Sequence, residues 1–183
     1  MTTANRGLGP LPSWLPVKTV DEREVAAPPK GIFDLARAVE QWPAHLAHYR
    51  FVRFRERDGH GGGIVEMSAN RPFTSAGGLV ALNWPTWWLS EMQVDEAKPA
   101  IRFHHIGGIT KRMEVEWTFA PAPRGTHVRI VHVWEGPRWP LVGLVAAKYL
   151  IGPVFVHGIA SRTLAGLAAV AERNAENDGG RRV

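Results

Sequence analysis

From Tyr49 to Glu135 the chain repeats one pattern: short runs in which apolar and polar residues alternate, separated by turns rich in Gly, Pro and Asp. The clearest run is Lys111 to Ala120, with Met113, Val115, Trp117 and Phe119 on one face and Arg112, Glu114, Glu116 and Thr118 on the other. A period of two is the signature of a strand with one face buried and one wet. Similar runs begin at Tyr49 and span Ile64–Asn70, Trp87–Asp95, Ala100–Ile106 and Thr126–Glu135. The Asp58–Gly63 turn predicts a hairpin between the first two. Arg71 to Pro85 reads as either a long loop or an irregular strand. Six consecutive antiparallel strands follow, preceded by a first strand over Val17–Ala27. A twisted sheet of that size curls, and its concave face must be covered.

What covers it lies at the C-terminal side. Val156, Ile159, Thr163, Leu167 and Val170 recur at offsets of three and four, which lays them on one stripe of a helix over Val154–Asn174. Gly152-Pro153 separates this helix from an extra apolar helical segment over residues 139–152. Before the sheet, Lys30–Gln41 reads as a short amphipathic helix that buries Ile32, Phe33, Leu35, Ala36 and Val39. Trp42-Pro43 interrupts it, and Ala44–His48 supplies a further helical turn. A curved sheet does not seal against a straight rod, so a pocket between the two is the expected result.

Composition narrows the chemistry. The chain has 183 residues, 45% of them apolar, which suits one domain with a sizeable core. Residues 1–16 read as an irregular arm without the apolar core of a secretory leader, 17–176 as the domain, and 177–183 as a disordered tail. Cysteine is absent, which excludes disulfides, thiolate nucleophiles and cysteine-ligated metals. The charge of +5 comes from 22 basic and 17 acidic residues that are mostly dispersed, so no nucleic-acid partner is expected. Arg50, Arg53, Arg55 and Arg57 read as a solvated strand face. No uncharged apolar run reaches the roughly eighteen residues of a membrane span; Pro140–Ala160 is interrupted by Lys148 and Pro153. A cytoplasmic protein is expected, with peripheral membrane contact through residues 140–155 as an open alternative to a lid.

The order strand, helical pair, six strands, helix resembles the helix-grip fold of the START-like, Bet v 1-like superfamily. Within it the chain is similar to the polyketide cyclase/dehydrase family, with its aromatase/cyclases and coenzyme-Q-binding START proteins. The segments that carry the resemblance are Val39-Glu40-Gln41-Trp42-Pro43, Ile101–Gly108, Met113-x-Val115-x-Trp117, Gly125-Thr126-x-Val128-x-Ile130-x-His132, and Phe155-Val156 with Ile159-Ala160 and Thr163-Leu164. It spans about Val17 to Glu172. It implies an α+β fold, a curved sheet of about seven strands around a long helix, and a hydrophobic cavity near the sheet–helix junction. It also implies a hydrophobic ligand such as a polyketide, an isoprenoid quinone or a lipid, or alternatively cyclase, aromatase or dehydratase action on a poly-keto chain. No cofactor is implied.

The expected ligand-binding residues are Trp88, Phe103, His105, Met113, Val115, Trp117, His132, Trp134, Phe155, Ile159, Thr163 and Leu167. Against this stands the reading that the aromatic residues pack a solid core. By parity His105 points inward and His104 outward, while His132 shares the face of Ile130 and Trp134. His105 and His132 are candidates to hydrogen-bond a ligand carbonyl or to act as acid and base, if adjacent strands bring them together. The competing reading is two core histidines satisfied by neighbours. Tyr49 and Arg53 are further polar candidates. His45 and His48 have metal-ligand spacing but no carboxylate companion, so no metal site is expected. Gly59–Gly63 lacks the Lys-Ser/Thr pair of a phosphate loop, and no serine sits in a nucleophile elbow.

Overall fold

The computed structural model describes residues 9–74, 81–136 and 157–180, without the side chains of 71–74, 81–84 and 157. Strand β1 (Val17–Val25) leads into helix α1 (Pro29–Arg37), a 3₁₀ turn (Val39–Gln41) and helix α2 (Trp42–His45). Strands β2 (Tyr49–Arg57), β3 (Gly63–Thr74), β4 (Ala81–Asp95), β5 (Ala100–Gly108), β6 (Glu114–Ala122) and β7 (Gly125–Trp134) follow, and then helix α3 (His157–Gly180). Among the described residues the seven strands form one sheet in the order β1-β7-β6-β5-β4-β3-β2, with every neighbouring pair antiparallel. The expected helix-grip architecture is therefore present. Helix α3 lies on the inner face, touching β1, β3, α1 and α2.

The helical pair breaks earlier than the sequence suggests. Helix α1 begins with Pro29 in its first turn, where the missing N–H is no loss, and buries Ile32, Phe33 and Ala36. It ends at Ala38, whose N–H closes on the Asp34 carbonyl. Pro43 then opens α2. Trp42 is buried between the two helices' ends, and its indole N–H donates to the Leu35 carbonyl at 3.2 Å. At the other end of the chain α3 continues to Gly180, past the Glu176 boundary from which a disordered tail is expected. Extending an established helix by one residue costs far less than starting one.

Three strand features differ from simple alternation. First, β3 and β4 stay paired from Asn70↔Pro85 out to Thr74↔Ala81, so the irregular-strand reading of this stretch holds at both ends. Pro72 and Pro85 mask the strand in the sequence because proline removes a ladder donor. Second, the β2–β3 register slips between Tyr49 and Phe51, and again between Phe54 and Glu56. The first slip places both Tyr49 and Val52 on the inner face and turns Arg53 outward. A bulge of this kind adds curvature as well as changing parity. Third, β4 and β5 slip between Leu89 and Ser90, so that Ser90 pairs with His105 and Leu89 with Gly107.

The outer face is laced with charge, as the arginine-rich run predicts. Arg53 and Arg55 meet Glu66 at 2.7 and 2.6 Å, and the Trp87 indole N–H donates to the same carboxylate at 2.8 Å. Arg57 pairs with Glu40, and Arg102 with Glu116. Glu66 consequently sits below the usual carboxylate range, chiefly through its hydrogen bond from Arg53.

Gly108 ends β5 at φ 88°, where a Cβ would lie 2.3 Å from the Trp87 carbonyl oxygen and 2.8 Å from the Trp88 Cα. Neither obstacle is a movable side chain. Gly108→Ala is therefore expected to destabilise the fold by about 1–3 kcal/mol, measured as a lower urea midpoint at unchanged slope. A neutral result would show that the β4–β5 slip is not held by this residue.

Candidate functional site

The inner face of β2–β7 and the first half of α3 line an open cavity in which about 80 Å³ is accessible to the centre of a water molecule. A single water needs roughly 10–15 Å³ by the same measure, so this space is larger than a packing defect. Its wall is mostly aromatic and aliphatic. Trp42, Trp88, Phe103 and Trp117 supply the flat surfaces, and Met67, Met113 and Val115 fill between them. The edge of Trp42 approaches Tyr49 at 5.3 Å between ring centroids, and Trp117 lies 5.8 Å from Trp42.

The cavity stops part-way along α3. Ile159, Ala160 and Thr163 line it. One turn further on, Leu167 is fully buried in the core. There Gly166 comes so close to α2 that a Cβ would lie 2.2 Å from Leu46 Cδ2. The helix is thus gripped near its middle, from Leu164 to Ala171, while its first turns line the open space. Trp134 is also outside the cavity: it is 1% exposed and its indole N–H donates to the Lys111 carbonyl at 2.9 Å. The remaining expected residues, Trp88, Phe103, His105, Met113, Val115, Trp117, His132, Ile159 and Thr163, are brought together around the space. Phe155, the segment 139–152 and the contact expected of 140–155 lie outside the described residues.

Other lining residues were not singled out from the sequence. Met67 shares the inner parity of Val65 and Ala69 on β3, so its signal was present. In the sequence Trp42 stands out as a helix interruption and as part of the Val39–Pro43 resemblance segment, not as a lining residue. Ile109 and Thr110 come from the β5–β6 turn, which carries no periodicity to read. Arg53 is not in the cavity; the β2 bulge sends it to Glu66 on the outer face.

Polar groups are few and sit at two places. At one, His105 Nδ1 lies 2.6 Å from Thr110 Oγ1, and its ring stacks on Trp88 at 6.2 Å. Burial, then the proximity of His132 and His104, pushes the His105 imidazole down to about 3. It is therefore neutral at ordinary pH. His132 faces the same space, but β5 and β7 are not adjacent: β6 runs between them, with Val115 paired to His132. The strands thus stand two interstrand spacings apart, about 10 Å. His104 points outward onto Glu114 at 2.6 Å, as its parity predicts. At the second place, Thr163 Oγ1 lies 3.2 Å from the Tyr49 phenol oxygen, 3.1 Å from His48 Nε2 and 2.8 Å from the Ile159 carbonyl. Burial keeps the Tyr49 phenol protonated by raising it well above its usual value. Among the described residues no three potential metal ligands gather.

This sheet, helix and cavity have relatives. The family model for "Polyketide cyclase / dehydrase and lipid transport" matches residues 25–153, well over half of the chain. The chain belongs to that family. A Streptomyces halstedii protein named "Putative polyketide cyclase" is 27% identical over 112 residues, covering 61% of this chain and 94% of its own. The Zhui aromatase/cyclase of Streptomyces sp. R1128 superposes with a TM-score of 0.69 at 16% identity, covering 85% of this chain and 93% of that one. A START superfamily protein from Mycobacterium smegmatis does so at 0.57 and 18%, covering 88% and 98%. At these identities the two structures bear on the fold alone. They agree that this polyketide cyclase/dehydrase family member has a START-like scaffold.

The buried imidazole gives this family member a defined acid response. His105 titrates near 6.5 when unfolded and near 3 when folded, so the unfolded chain binds more protons between those values. The stabilisation is complete above about pH 6.5 and is lost as pH falls toward about 3. His48, also lowered by burial and by Arg162, adds the same sign. Urea midpoints of the wild type and His105→Gln, compared from about pH 7 to 4, should diverge: the wild type loses up to about 1.4 kcal/mol per pH unit more than the variant. Parallel curves would place His105 in contact with water.

Proposed function

We propose that the protein binds a hydrophobic small molecule, such as a polyketide, an isoprenoid quinone or a lipid-like chain, between the sheet and α3. The observation that carries this reading is the aromatic cavity left open between the sheet and the first turns of α3. Trp42, Trp88, Trp117 and Phe103 present flat apolar surface, and Tyr49, Thr163, His105 and His132 provide a few oriented polar contacts. A site that is mostly apolar with a few placed polar groups suits a ligand of the same character. Family membership supports the same class of ligand.

A second reading is catalytic: cyclisation, aromatisation or dehydration of a poly-keto chain. It is favoured by the placement of His105 and His132 on the cavity wall, where they can hydrogen-bond the carbonyls of such a chain. With its imidazole pushed down to about 3, His105 would orient a carbonyl rather than serve as a strong base. The cavity would fold the chain into a reactive conformation. Poly-keto substrates incubated with wild type, His105→Ala and His132→Ala decide between the two. A wild-type product pattern identical to spontaneous cyclisation removes the catalytic reading and leaves the binding one.

Native mass spectrometry of freshly purified protein should show a copurified apolar molecule. Val115→Phe provides the structural control. Val115 points into the open space, so the added ring should cost less than the roughly 1–3 kcal/mol of overpacking a filled core. It should also abolish retention of the copurified molecule. A large loss of stability would mean that the space is not available. Among the described residues no helix is long and apolar enough to cross a membrane. Flotation with liposomes tests the surface contact expected of residues 140–155; protein left wholly at the bottom excludes it.

A further inference from the structure

One hydroxyl in the cavity wall has more partners than protons. Thr163 Oγ1 carries a single hydrogen and stands within hydrogen-bond distance of Tyr49 Oη, His48 Nε2 and the Ile159 carbonyl oxygen. The Ile159 carbonyl can only accept, and it offers the resting position of a threonine that bonds back one helical turn. The other two partners can each donate or accept. Two continuous arrangements follow. In the inward one, His48 Nε2–H donates to Thr163, Thr163 donates to Tyr49, and the Tyr49 O–H is left to donate into the cavity. In the outward one, Tyr49 donates to Thr163, Thr163 donates to the bare Nε2 of neutral His48, and the Tyr49 oxygen faces the cavity as an acceptor.

The ends of this chain are placed differently. Tyr49 and Thr163 line the cavity. His48 is half-buried and does not line it. Its ring packs on Tyr49 at 4.7 Å between centroids. The groups that face it are the Tyr49 phenol on β2, the Thr163 hydroxyl, and the Arg162 guanidinium on α3. A wall built this way can present either sense of hydrogen bond without moving a heavy atom.

We propose that Tyr49, Thr163 and His48 form a reversible hydrogen-bond chain that recognises a ligand oxygen, and that His48 selects whether the wall offers a donor to a carbonyl or an acceptor to a hydroxyl. This rests on the reading that the cavity holds an apolar small molecule. Protonated His48 must donate at Nε2, which enforces the inward arrangement and favours a carbonyl. Neutral His48 permits both arrangements, and a ligand hydroxyl draws it to the outward one. Burial and Arg162 both lower His48, so the neutral form is the ordinary one. Thr163 and His48 act here as positioning residues, and Tyr49 alone touches the ligand oxygen.

The test uses two bicyclic probes that differ in hydrogen-bond sense. Menadione has only carbonyl acceptors, while 1-naphthol carries an O–H. The absence of cysteine removes the thiol addition that menadione otherwise undergoes. Calorimetric titration of each into the full chain, between about pH 8 and 5, should show the affinity ratio of menadione to 1-naphthol rising about three- to tenfold as His48 gains its proton. The ratio should be flat in His48→Gln and in Thr163→Val, with both probes still bound. His105, pushed down to about 3, stays neutral across this range. A flat ratio in the wild type, or an unchanged rise in His48→Gln, overturns the chain and leaves the cavity reading standing. If neither probe gives a saturable heat, the cavity reading fails and the chain fails with it.

Discussion

Everything in this molecule depends on how a straight helix meets a curved sheet. Helix α3 cannot follow the curl of seven strands along its whole length, so contact must be tight in one place and loose in another. Gly166 against Leu46 marks the tight place, because the Leu46 side chain occupies the space that a Cβ at 166 would take. The loose place follows on the N-terminal side, bounded by Thr163 and Ile159. The core and the cavity are thus two halves of one interface. Burial stabilises the first, at roughly 25 cal/mol per Å² of apolar surface, while the second remains available to a guest.

The polar groups in the loose half obey a stricter rule than the apolar ones. A buried donor or acceptor without a partner costs on the order of 1–3 kcal/mol, so each must be satisfied by the protein or by what enters. His105 meets Thr110, and Thr163 meets its own helix as well as Tyr49 and His48. At these two places the hydrogen bonds exist before any ligand arrives, so an incoming oxygen redirects them, which favours discrimination over raw affinity.

Much of the architecture was legible because strands with one wet face write their parity into the sequence. Met113, Val115, Trp117 and Phe119 were assigned to one face by alternation alone, and all four are buried. The same parity put His105 inside and His104 outside. Parity fails where the backbone slips. The β2 bulge separates Tyr49 from Arg53, which simple alternation puts on one face, and no residue type in Tyr49-Arg50-Phe51 announces it. The helical stripe correctly grouped Ile159, Thr163 and Leu167, yet it could not say where along the stripe the cavity ends. That limit is set by Gly166 and Leu46, a pair of residues far apart in sequence. Ile109 and Thr110 were invisible for a similar reason, since a turn has no repeat from which to infer a direction.

Among the described residues the sheet also leaves β1 and β2 with one hydrogen-bonding edge each unpaired by another strand. Such edges invite another chain to add a strand. Strand β2 answers with two bulges and a run of arginines, and β1 with the exposed Glu22, Arg23 and Glu24 in succession. A neighbouring molecule would meet an interrupted ladder at β2 and a dense set of hydrated charges at either edge. The arginine-rich stretch thus opposes strand addition at the β2 edge, allowing the sheet to stay open without becoming a seed for strand-to-strand aggregation.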